Sequence, residues 1–150
     1  MTLVEQLAAV RRTLHRVLTR RLSKHTERPF MQMLALRVID RGEVHAQAAL
    51  AERLLVDAPA VSRLVDRLVA DGLLKRCAGE DRRCVRLEAT AAGHEEALAL
   101  DSELQSLEGE VRKHLTAQEL KTLRQLLDKL HDGLKEGGDA ASPEAAAKGE

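Results

Sequence analysis

The sequence predicts a mainly α-helical fold with one small β-hairpin. Three observations carry that expectation. Apolar residues recur at helical spacing at both ends of the chain: Leu3, Leu7, Val10, Leu14 and Val17 at the start, and Leu120, Leu123, Leu127, Leu130 and Leu134 near the finish. Prolines, glycines and capping residues cut the region between them into short helical pieces. Only around residues 73–88 does the texture change to short strand-like runs flanking a polar loop.

The first helix carries the Leu3–Val17 stripe, with Leu18 and Leu22 on nearly the same side. His25 to Pro29 interrupts it, because the residue before a proline avoids the helical region. A second helix is expected from Pro29 to about Arg41, ended by Gly42. A short third runs from about Ala46 to Leu54. Asp57 is a good N-cap and Pro59 suits an early helical position, so a fourth helix spans about Ala58 to Ala70 and stops near Gly72. Strands are expected over 73–77 and 84–88, joined by the polar segment 78–83. Thr90 can cap a long helix bearing Leu100, Leu104, Leu107, Val111 and Leu115. Thr116 and Glu119 have capping-box spacing and open the last helix. From Gly137 on, the composition turns to Ala, Gly, Ser, Pro and Glu, and residues 137–150 read as a disordered tail.

A chain of 150 residues suits one domain, here 1–136. Helices over about 1–25 and 95–135 leave apolar stripes that need a partner, and a two-fold homodimer would cover them. No apolar run approaches the roughly 18–20 residues of a membrane span, and no signal peptide is legible, which places the protein in the cytoplasm without a membrane partner. Two cysteines cannot build a disulfide scaffold. Phe30 is the only aromatic residue, which argues against modules that stack bases on aromatic platforms.

The net charge is zero, yet the charge is unevenly spread. Residues 1–28 hold seven basic and two acidic residues, and residues 60–87 hold seven and four. Residues 89–135 hold six and nine. A neutral protein whose first half is basic can still bind an anionic polymer, although solvated helix faces would look the same.

The segment Gln47–Leu68 carries the functional signal. Leu50, Leu54, Val61, Leu64 and Leu68 can form the small core of two crossed helices, with Ala51 small where they approach. Pro59, Ala60, Ser62, Arg63 and Arg67 fall in the second of these helices, where a helix-turn-helix presents residues to DNA. Arg63 suits guanine O6/N7, and Ser62 can reach a base or a phosphate. An ordinary helical hairpin with surface arginines would share the pattern. The strand pair that follows acts as a wing. Its Arg82 and Arg83 can enter a minor groove or grip phosphate, and Asp81 can steady one guanidinium. The fold class is therefore a winged helix-turn-helix with long N- and C-terminal dimerisation helices.

Residues 1 to about 135 resemble the MarR family of bacterial transcriptional regulators. The likeness is strongest in Leu50–Leu54, Val61–Leu68, Gly72–Leu74 and Asp81–Arg83, then through Val85–Leu87 to Thr90 and Gly93. The family's D-x-R wing pattern matches Asp81 and Arg83. The resemblance implies a dimeric, sequence-specific regulator of double-stranded DNA, commonly a repressor released by a small-molecule effector. Its DNA-binding lobe would cover about 29–89, and its effector pocket would involve His15, Arg16 and Phe30. Three departures stand out: a slightly short wing, Ala89 where a larger apolar residue is common, and few aromatics for a phenolic ligand.

Other chemistry is weakly supported. Cys77 and Cys84 flank the wing symmetrically. Facing each other, with Arg76 and Arg83 favouring thiolate, they would make a redox-responsive wing; two reduced strand cysteines are the plainer reading. The six histidines show no i,i+3 or i,i+4 pair, so no metal or other cofactor is expected. No phosphate loop or nucleophile elbow is present, so no enzyme is expected. The alternative function is a helical protein-interaction module without specific DNA binding.

Overall fold

The computed structural model describes residues 1–79 and 85–139. Among these residues six helices and one hairpin follow in chain order: α1 (Leu3–Leu22), α2 (Phe30–Asp40), α3 (Gln47–Leu54), α4 (Ala58–Ala70), β1 (Leu74–Ala78), β2 (Val85–Ala89), α5 (Ala91–His114) and α6 (Ala117–Asp139). The chain divides into two compact units, Met1–Ser106 and Leu107–Glu150.

In the first unit, α1 begins with a capping box. The Glu5 amide donates to the Thr2 hydroxyl at 3.2 Å, and the Thr2 amide donates to the Glu5 carboxylate at 2.6 Å. The backbone bond to Thr2, helped by the Thr2 side chain, holds the Glu5 carboxyl below its ordinary pKa. Leu18 and Leu22 are buried, whereas Leu3, Val4, Val10 and Leu14 stay exposed.

The core is built on α2, whose Met33, Ala35, Leu36, Val38 and Ile39 are all buried. Leu50 and Leu54 from α3, Val61, Val65 and Leu68 from α4, Leu73, Leu74 and Leu87 around the hairpin, and Ala97 from α5 close over it. Four of the five residues expected in the helix-turn-helix core are buried; Leu64 only packs against its edge. Val65 takes the fully buried place, because 61, 65 and 68 share one line along α4. Each such side chain contributes roughly 1.5–3 kcal/mol on burial.

The turn between α3 and α4 contains a strained residue. Leu55 has φ 55° and ψ 44°, the left-handed region, and is 89% exposed. That conformation costs an L-residue roughly 1–2 kcal/mol, and here no packing offsets it. Leu55→Gly is expected to raise the melting temperature by a few degrees, since glycine's extra unfolded-state entropy cancels only about half of the relief. A lower melting temperature would mean that Leu55 contributes contacts this geometry lacks.

The hairpin differs from expectation by one residue on each strand. Leu73 stays outside the ladder: its amide donates to the Leu68 carbonyl at 2.9 Å and its carbonyl accepts from Thr90 at 3.0 Å. The antiparallel register therefore runs from Leu74 opposite Ala89 to Ala78 opposite Val85, and Cys77 lies opposite Arg86. The symmetric reading sets Cys77 opposite Cys84; the ladder sets it opposite Arg86. Cys84 itself, like Asp81, Arg82 and Arg83, lies outside the described residues.

α5 starts where expected, with the Gly93 amide donating to the Thr90 hydroxyl at 3.0 Å. An electrostatic network ties it to α2: Arg37 to Asp101 at 2.5 Å, Arg41 to Asp101 at 3.6 Å, and His94 to Asp40 at 2.9 Å. The hydrogen bond to Asp40 raises the His94 pKa above its ordinary value, with the Asp40 charge adding to it. A histidine raised in the folded state contributes stability that is full below pH 6.5 and fades as pH climbs through the raised value. The melting-temperature loss of His94→Gln should therefore be larger at pH 6 than at pH 8.5. An equal loss at both would remove the charged pair from the account.

In the second unit, Thr116 and Glu119 form the expected capping box, with contacts of 2.9 and 3.1 Å. Glu108 on α5 accepts from Arg124 on α6 and lies 3.6 Å from Arg112. Leu123, Leu126, Leu127 and Leu134 are exposed. α6 runs through Gly137 and Gly138 to Asp139, three residues past the expected boundary, because glycines weaken a helix without ending it. The rest of the expected tail lies outside the described residues. No helix among the described residues is long and apolar enough to cross a membrane.

Candidate nucleic-acid interface

The site is built on α4, and its aim is fixed by the core. Val61, Val65 and Leu68 bury one face, so Pro59, Arg63, Asp66 and Arg67 are turned to the outside. Asp57 caps the helix, its carboxylate accepting from the Ala60 amide at 2.8 Å. Pro59 is exposed in the first turn, while Ala60 and Ser62 are half-buried at the flank. The α3–α4 pair thus delivers the helix start and its first outward arginine together.

Charge pairing separates the basic residues of this face. Arg67 donates to Asp71 at 3.1 Å, one turn away. Asp71 accepts at the same oxygen from Arg28 at 2.7 Å, and this bond, with Arg67 adding to it, holds the Asp71 carboxyl below its ordinary pKa. Arg28 also reaches Glu96 on α5 at 3.4 Å. Glu96 in turn accepts from the Thr26 hydroxyl at 3.1 Å. A chain of contacts therefore runs from α5, through the α1–α2 connection, to the last turn of α4. Arg67–Asp71 has the i,i+4 spacing of a helical ion pair; Arg28 and Glu96 join it through tertiary structure alone.

The hairpin is fastened to α4 by Arg76, which donates to Asp66 at 2.6 Å. Lys75 and Arg86 both face Glu88, at 3.7 and 3.4 Å. Arg63 is left without a hydrogen bond or ion pair among the described residues. It is the sole basic residue of α4 and the described hairpin in that position. The expected wing contacts Asp81, Arg82 and Arg83 carry no structural description.

Cys77 does not have the environment of a reactive thiol. Burial raises its pKa, and so does the hydrogen bond from its Sγ to Glu88 at 3.4 Å, against the thiolate that Arg76 and Arg83 were expected to favour. Arg76 is engaged by Asp66 instead.

The expected effector residues come together only in part. The His15 and Phe30 rings meet edge to face with centroids 4.6 Å apart. Arg16 shares with His15 an open groove of about 670 Å³ on α1. Phe30 lines a separate hollow of about 310 Å³ with Thr26, Arg28 and Pro29. No group of three metal-ligating side chains is assembled among the described residues.

The chain is similar to known proteins in sequence and fold. A family model described as the MarR family matches residues 27–83. The apo crystal structure of wild-type MarR from E. coli is similar at 30% identity and a TM-score of 0.71, over 87% of this chain and 97% of that one. The transcriptional regulator PA3341 is similar at 26% identity and a TM-score of 0.81, over 90% and 99%. The S. aureus MepR–DNA complex shares the fold at 19% identity and a TM-score of 0.74, over 89% and 99%.

Proposed function

The chain belongs to the MarR family of transcription regulators, which are not enzymes, and from that premise we propose that it is a dimeric, sequence-specific reader of double-stranded DNA. In this reading α4 enters the major groove, the wing carrying Arg82 and Arg83 meets the adjacent minor groove or its phosphates, and the half-sites lie about one helical turn apart. The observation that carries the reading is Arg63: a guanidinium on the outward face of a capped, core-anchored helix, left unpaired while its neighbours are paired. Ser62 beside it, with Pro59 and Ala60 toward the helix start, fills the part of a recognition helix that meets base edges. The crystallised MepR–DNA complex supports DNA as the partner for this fold.

The homodimer follows from the uncovered apolar rows, Leu3, Val4, Val10 and Leu14 in one unit and Leu123, Leu126, Leu127 and Leu134 in the other. Repression relieved by a small effector at His15, Arg16 and Phe30 completes the reading; the effector would act by preferring one of two arrangements of the recognition helices. The test is titration of the purified chain onto the DNA upstream of its own gene, beside a scrambled duplex of equal length at physiological salt. Preference by about 10³-fold or more is the expected result. Equal weak binding to this duplex, to its scramble and to genomic fragments would reject specific recognition.

A further inference from the structure

The arginines of the first unit fall into two classes. Among the described residues, Arg21, Arg28, Arg37, Arg41, Arg53, Arg67, Arg76 and Arg86 each have a carboxylate within 4 Å. Arg63 has none, which the DNA reading explains. The other exceptions, Arg11, Arg12, Arg16 and Arg20, all sit on α1, all exposed. The only acid on that helix, Glu5, is spent on the Thr2 cap.

Their spacing makes them one site. Residues 12, 16 and 20 form one row at successive turns, and 11, 15 and 19 form the row beside it. Together these six line the 670 Å³ groove, with no carboxylate in the lining. His15 is held at its rim by the edge of Phe30. Like charges four residues apart repel and weaken a helix, so such a row is a standing cost unless an anion occupies it. A single small anion would serve one guanidinium fork. Successive guanidiniums arriving from consecutive turns, about 6 Å apart along the axis, match a chain of linked phosphates, each with several acceptor oxygens.

We propose that the arginine groove of α1 binds a short polyphosphate chain, free or as part of a nucleotide. Arg12 and Arg16 grip the chain bidentately, and Arg11, Arg20, His15 and Thr19 supply the flanking donors. Because His15 and Arg16 belong to the expected effector pocket, this names that effector's chemical class. Only its regulatory consequence rests on the DNA reading.

The test uses the full chain and isothermal titration with inorganic tripolyphosphate, orthophosphate and sulfate at matched ionic strength, with ATP as a separate arm. Saturable tripolyphosphate binding at least tenfold tighter than orthophosphate is expected. At least a tenfold loss is expected in Arg12→Ser/Arg16→Ser. Arg12→Lys/Arg16→Lys, which keeps the charge without the fork, should fall between. ATP binding equal to tripolyphosphate identifies the phosphate chain as the whole determinant, and tighter ATP binding adds the nucleoside. Binding that sulfate reproduces, or that both double variants leave unchanged, overturns the inference. So does an absence of tripolyphosphate binding together with variants that lose duplex affinity or dimerisation, which would give the groove to DNA or to a second subunit. Because the titration contains no DNA, a chain that binds tripolyphosphate but reads no operator keeps this inference and loses the previous one.

Discussion

Gly93→Ala is expected to lower stability by on the order of 3 kcal/mol or more. A Cβ at Gly93 would stand 2.0 Å from the Leu73 carbonyl oxygen, 3.0 Å from its carbon and 3.2 Å from a Leu36 methyl. The main obstacle is backbone, so no rotamer change can clear it. The Leu73 carbonyl also accepts the Thr90 amide, and the Thr90 hydroxyl donates to the Gly72 carbonyl at 2.6 Å. Moving Leu73 away therefore opens the corner where α5 begins, and pulls on Leu74 and Leu36 in the core. Gly109, with nothing near its added methyl, is the control: Gly109→Ala should stabilise by about 0.5–1 kcal/mol through helix propensity. Thermal melts of both variants decide the matter. For a chain of this size the Gly93 variant should melt roughly 10 °C lower. A shift under about 2 °C would mean that α5 can tilt away from Leu73 without cost.

Gly93 also marks the limit of what the sequence shows by itself. Periodicity, caps and punctuation located every helix, because Asp57, Pro59, Thr90, Thr116 and Glu119 act through local geometry. The hairpin was legible as an element, but its register was not. Leu73 looks like a strand residue; whether its polar groups join the ladder or bind Leu68 and Thr90 is decided by tertiary contacts. That single choice sets Cys77 opposite Arg86 rather than Cys84. In the candidate interface, the outward set on α4 followed from the 3.6-residue period. The pairing that singles out Arg63 did not, since Arg28 and Arg76 reach Asp71 and Asp66 from outside the helix. The arginine groove on α1 was visible only as an excess of charge. Its separateness depends on where every other arginine found a carboxylate.

Arg63→Ala should cost the native operator far more than a scrambled duplex. A bidentate arginine–guanine contact is worth about 1–3 kcal/mol of discrimination. In the proposed dimer the substitution acts at both half-sites, for about 2–6 kcal/mol in all, or roughly 30-fold to 10⁴-fold in affinity. Folding should be untouched, because the side chain is exposed and makes no hydrogen bond or ion pair among the described residues. Arg67→Ala is the informative comparison. Its guanidinium is partly engaged by Asp71, which Arg28 holds from the other side, so binding DNA must either break that bond or use the donors it leaves free. A smaller loss is expected there, spread evenly over native and scrambled duplexes. It should come with a shallower salt dependence of about one unit per lost phosphate contact per site. If instead Arg63→Ala weakens both duplexes equally and flattens the salt dependence, Arg63 grips phosphate. Base reading would then belong to Ser62 and the first turn of α4, where Pro59 and the capped Ala60 amide leave little polar side chain to do it. Specificity would in that case have to come from duplex shape, and operators of one groove width but different base order should bind alike.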